Sequence, residues 1–165
     1  MGLQTFVDAH LDSHHVSRVL YGAIIGLALI VTLQLHPPGA GTVIASLCAT
    51  AIAVALAELY SDLIGARTRS GLGVDTEGFA EIAGDAIAVA FGVCFPCVFF
   101  VLAALGAISV DTAFNIAKWS GLGLIAFYGF VAARVGGGTV PRALLEATGV
   151  ALIGAGLIAI KALIH

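Results

Sequence analysis

The chain has 165 residues, 60% of them hydrophobic and only 10% charged, with a mean hydropathy of +1.09. Soluble domains carry about 25% charged residues, so this composition argues against an ordinary soluble domain, and the length allows one domain. A net charge of −3 without a basic run gives nucleic acid nothing to bind, and Cys48, Cys94 and Cys97 all lie in apolar segments, which is no secreted disulfide framework.

Residues 1–15 are polar, with Asp8, His10, Asp12, His14 and His15 set among Leu3, Phe6, Val7 and Leu11 at helical spacing. They read as a short amphipathic helix lying on the membrane. There is no basic n-region or apolar run of a cleavable signal, and Phe6 stands where a myristoylation signal wants Ser or Thr. His10 and His14 are four apart, a spacing that can hold a divalent metal on one helix face, although it also suits a titrating polar face.

Residues 16–165 read as an all-α transmembrane domain of five spans, at about 16–35, 42–66, 79–106, 113–135 and 142–164. The first has Arg18 and Tyr21 at its entry and carries Gly22 and Gly26 as G-x-x-x-G, which suits either a homodimer seam or packing within the chain. It ends at His36-Pro37-Pro38-Gly39 because proline cannot continue the helical ladder. A basic, glycine-rich loop with Arg67 and Arg69 follows the second span. The third, whose helix starts near Glu77, is long enough to project from a bilayer, and Pro96 should bend it. Asp111 could cap the fourth helix, where Lys118 and Trp119 serve as interfacial anchors. With five spans, Arg18, Arg67, Arg69, Arg134 and Arg142 all fall on one side. The positive-inside rule then puts the N-terminus in the cytoplasm and the C-terminus outside.

Residues 44–62 organise the rest: four apolar, small-residue turns followed by Glu58 and Asp62 on one face, with Ala51 and Ala55 along the same stripe. Carboxylates at apolar depth are expensive and mark functional sites. The third span opens with Glu77, Glu81 and Asp85, again four apart and on one face. The loop between the two helices is short, so the acids should converge near the cytoplasmic end. Hard divalent cations want such oxygen ligands, and carboxylates can trade a metal for protons. The competing reading makes Asp62, Glu77 and Glu81 solvated edge residues pairing with Arg67 and Arg69. Cys94-Phe-Pro-Cys97 could hold a thiophilic ion, yet these cysteines project away from the Glu81–Asp85 face, and buried cysteine is also a common small hydrophobe.

Several motifs resemble the vacuolar iron transporter family. Ala57-Glu58-Leu59-Tyr60-Ser61 is similar to the family's Gly-Glu-Tyr-like close of the second span. Ala90-Phe-Gly-Val-Cys-Phe-Pro96 resembles its small-Leu-Gly…Pro run, and Arg142-Ala-Leu-Leu-Glu146 with Ile153-Gly154 resembles its last span. Gly26-Leu27 matches a first-span step, but Ile25 stands at the family's acidic position, and its Glu-rich cytoplasmic insert is reduced to about a dozen residues around 67–78. The resemblance covers roughly residues 18–162 and implies a five-span homodimer with a cytosolic N-terminus; the expected location is the cell (inner) membrane. It implies a divalent metal, Fe2+ or Mn2+, as substrate rather than cofactor, with Glu58 in the pathway and Glu77, Glu81 and Asp85 as relay. The expectation is metal/proton antiport through Glu58, Asp62, Glu77, Glu81 and Asp85, with His10 and His14 as weaker ligands. The alternative is a non-transporting accessory or scaffold subunit of a larger membrane complex. No nucleophile–base arrangement or cofactor fingerprint suggests an enzyme.

Overall fold

A computed structural model describes residues 13–70 and 75–135 and the helical positions 148, 149, 152 and 156. The ordered elements are α1 (Ser13–Leu33), α2 (Ala40–Ser70), α3 (Thr76–Cys94), α4 (Cys97–Ala104) and α5 (Val110–Val135), and no strand occurs among the described residues. Residues 1–12, His10 among them, lie outside the described residues, as does most of the expected fifth span.

Local chemistry sets the helix ends. Gly39 opens α2, its carbonyl accepting from the Thr42 and Val43 amides at 2.9 and 3.2 Å. Asp75 caps α3, its side chain accepting from the Gly78 amide at 2.9 Å. Ser109 caps α5: its hydroxyl accepts from the Thr112 amide at 3.1 Å, while Asp111 sits in the first turn instead of at the cap. A carboxylate there still suits the positive end of the helix. Gly106 ends α4 with φ of 76°. The Ala107 amide bonds Leu102 carbonyl at 2.9 Å and the Gly106 amide bonds Ala103 carbonyl at 3.0 Å. Together these bonds form a Schellman cap, which needs a residue that tolerates the left-handed region.

Pro96 lacks the amide that would carry the ladder past Phe95, so α3 and α4 meet at a bend of 46°. α1 and α2 are each long and apolar enough to cross a membrane, over Val16–Leu33 and Ala40–Thr68, and α3 with α4 makes a third such segment if taken as one bent span. α2 is the more peripheral, with 17% of its apolar stretch buried against 44% for α1. Ile52, Leu56, Tyr60 and Ile64 form an exposed apolar stripe along it, at the spacing of one helix face.

α3 lies between α1 and α2, which touch each other little although they are consecutive in sequence. α1 and α3 run parallel and very close. A Cβ on Gly26 would stand 2.9 Å from the Val93 carbonyl oxygen, and one on Gly22 would overlap the Val89 carbonyl. Gly92 faces the Val19 carbonyl from the other side. The G-x-x-x-G of the first helix therefore packs within the chain. At the opposite end Phe100 and Phe114 meet edge to face at 4.8 Å, in a core with Ile30, Val43 and Leu47.

Candidate functional site

The α1–α3 register carries a charge cluster one turn below the glycine contact. Arg18, Gly22 and Gly26 succeed one another at four-residue steps on α1, as Asp85, Val89 and Val93 do on α3. Where the glycines bring the backbones together, Arg18 meets Asp85, with Nε and Oδ2 3.4 Å apart. The same guanidinium reaches across to α2. Nη1 pairs with Glu58 Oε1, and Nη2 donates to Asp62 Oδ2 at 3.0 Å. Each guanidinium nitrogen thus faces a different carboxylate, a use of arginine's rigid fork that a lysine point charge cannot reproduce.

The cluster is shielded but not sealed. The side chain of Asp85 is 5% exposed, Glu58 16%, Arg18 23% and Asp62 31%. Side-chain exposure rises from Asp85 on α3 to Asp62 on α2. Arg18, Glu58 and Asp62 all fall inside the two apolar stretches long enough to cross a membrane. Among the described side chains three carboxylates face this one guanidinium, and carboxylates at apolar depth are expensive unless paired with cations or protons.

Of the residues expected at the site, Glu58, Asp62 and Asp85 come together. Glu77 and Glu81 occupy the exposed first turns of α3, a row of acids that leads from the surface to buried Asp85. His14 is described only as part of the α1 backbone, and His10 lies outside the described residues. Asp62 takes Arg18 as its partner, whereas the competing reading of the sequence paired it with Arg67 and Arg69, and Arg67 is exposed on the last turns of α2. Arg18 is the site residue that sequence reasoning missed, having placed it only at the entry of the first span. The available signal was its position on the Gly22–Gly26 stripe: a charge on a close-packing face must meet the neighbouring helix.

A second cluster gathers at the α3–α4 bend. The sulfurs of Cys48 from α2 and of Cys94 and Cys97 all lie within 4.8 Å of one another. Cys48 is ten residues from Glu58 and Cys94 nine from Asp85, so the two clusters stand about 15 Å apart along the helices. The pairing of Cys94 with Cys97 was legible in the sequence; that Cys48 joins them was not. At the far end of α1, Lys118 approaches Gln34 Oε1 at 3.5 Å and Asn115 Oδ1 at 3.4 Å, tying α5 to the turn after α1.

No protein-family model, curated protein or solved structure matches this chain.

Proposed function

We propose that this protein is a membrane transporter that exchanges a divalent metal ion for protons at Glu58, Asp62 and Asp85. The observation that carries the reading is the convergence of three carboxylates from two helices on a single guanidinium within apolar helices. Oxygen-rich sites of this kind select hard divalent ions. With all three acids ionised beside Arg18, a divalent ion balances the charge, and so do two protons. The two states can alternate without leaving net charge at apolar depth.

In this scheme Asp85 is the fixed inner ligand, Glu58 binds the ion, and Asp62 receives it from the aqueous side. Arg18 is the internal counter-ion. It holds the carboxylates together when the site is empty and must release at least one of them when metal enters. Glu77 and Glu81 draw cations to the mouth. The five-span arrangement with a cytoplasmic N-terminus, the homodimer, and the inner-membrane location belong to the same proposal, as does the resemblance to vacuolar iron transporters. Fe2+ and Mn2+ are the ions to offer first.

The accessory-subunit reading draws on the same contacts. Arg18 bridges two helices that otherwise hardly touch, which is what a purely structural clamp would do. Flux separates the two readings. Purified protein in liposomes with an internal pH dye is offered Fe(II), Mn(II), Co(II) and Zn(II) in turn. The transporter reading expects metal uptake with about two protons moved per ion, lost in Glu58→Gln. Absence of flux for every ion from well-folded protein rejects it in favour of the clamp.

A further inference from the structure

The three-cysteine cluster is untouched by the carboxylate reading. Two of its members follow from local sequence. Cys94 and Cys97 are three apart and so share a helix face, and Pro96 between them bends the chain by 46° without turning them away from each other. Cys48 comes from a different helix, eight residues into α2, and reaches the same point because α2 packs along both α3 and α4. All three carry free thiols, and Cys48 is the most exposed of them. Three apolar fillers need no common focus, yet here the sulfurs share one, with every pair within 4.8 Å.

From these observations we infer that Cys48, Cys94 and Cys97 form a three-thiolate site for a soft monovalent metal ion of the Cu(I) class. The geometry is close to that of a bound ion. An ion held at about 2.3 Å from each of three sulfurs in a trigonal plane sets them about 4.0 Å apart. Closing from 4.8 Å takes less than an ångström. The donor set selects the ion. No imidazole or carboxylate joins the group among the described residues, whereas structural zinc wants four ligands and hard ions want oxygen. Thiolates without other donors favour soft ions such as Cu(I).

Binding releases the proton of each thiol that ligates, so affinity must fall as pH falls. The ion neutralises charge that apolar surroundings would otherwise exclude. The site lies about 15 Å from Arg18 and its carboxylates and does not depend on metal transport through them.

The test uses the full-length protein in detergent, reduced and anaerobic, titrated with Cu(I) against a chromophoric Cu(I) chelator and separately with Ag(I). One Cu(I) per chain is expected, with sulfur-to-metal charge-transfer absorption and an X-ray absorption shell of three sulfurs. Cys48→Ser should weaken binding at least ~100-fold, more than loss of an outer-shell partner does, and so should Cys94→Ser and Cys97→Ser. Helix content and gel-filtration position report whether each variant folds. Cys48→Ala gives a second version of the first change with no added hydroxyl. Native affinity in both Cys48 variants, a two-sulfur shell, or failure of the native protein to compete with the chelator would each overturn the site.

Discussion

Replacing Arg18 with methionine removes the guanidinium while keeping a long side chain in the α1–α3 contact. Glu58, Asp62 and Asp85 then face one another without their shared counter-charge. Stripping one partner from a buried ion pair costs about 3–5 kcal/mol. Arg18 retains 23% side-chain exposure and Asp62 31%, so solvent screening places the loss at the low end, about 3 kcal/mol. In a chain of this size that lowers the melting temperature by about 6–12 °C, read by thermal unfolding in detergent. The diagnostic measurement is the coupling. Arg18→Met/Asp85→Asn should recover part of the loss, and Arg18→Met/Glu58→Gln likewise, with interaction energies of about 1–3 kcal/mol. Arg18→Lys should recover less than the charge alone suggests, because an ammonium carries its three donors on one nitrogen and cannot spread them over three carboxylates as the planar guanidinium does. Single-mutant effects that add within about 0.5 kcal/mol in both double variants would refute the shared-guanidinium reading.

Other expectations follow from the same geometry. Gly22→Ala puts a methyl group against the Val89 carbonyl, and overpacking of this kind costs about 1–3 kcal/mol. Gly41→Ala, where a methyl meets nothing within 4 Å inside a helix, should be neutral or stabilise by up to about 1 kcal/mol; equal melting shifts for the two would contradict the close α1–α3 approach. Gly106→Ala should destabilise by about 1 kcal/mol through backbone strain alone, since its φ is 76° and its surroundings are open; an unchanged melting curve would count against that cap. Glu81→Gln removes an exposed acid at the mouth. It should raise the half-saturating metal concentration more than it lowers maximal flux, and the difference should shrink at high ionic strength. Loss of maximal flux equal to that of Glu58→Gln would mean that Glu81 belongs inside the site.

Much of this protein was decided along single helices. Apolar runs over α1 and α2 announce membrane-length helices because backbone groups in hydrocarbon must be satisfied within the segment. Asp75, Gly39 and the proline after Phe95 mark helix boundaries by their own hydrogen-bonding capacity. The four-residue spacing of Glu58 and Asp62, and of Glu77, Glu81 and Asp85, puts each set on one face whatever surrounds it. What no helix could reveal alone is which faces meet. The glycines Gly22, Gly26 and Gly92 bring α1 and α3 together in parallel while the consecutive pair α1 and α2 stays apart. Only that arrangement brings Arg18, 40 residues before Glu58 in the chain, to the carboxylates. The same is true of Cys48, separated by 46 residues from Cys94. Its convergence on the Cys94–Cys97 pair exists only because α2 lies along the bend. Helical periodicity is a property of neighbours in sequence, whereas a site built from three helices depends on packing registers that backbone contacts set.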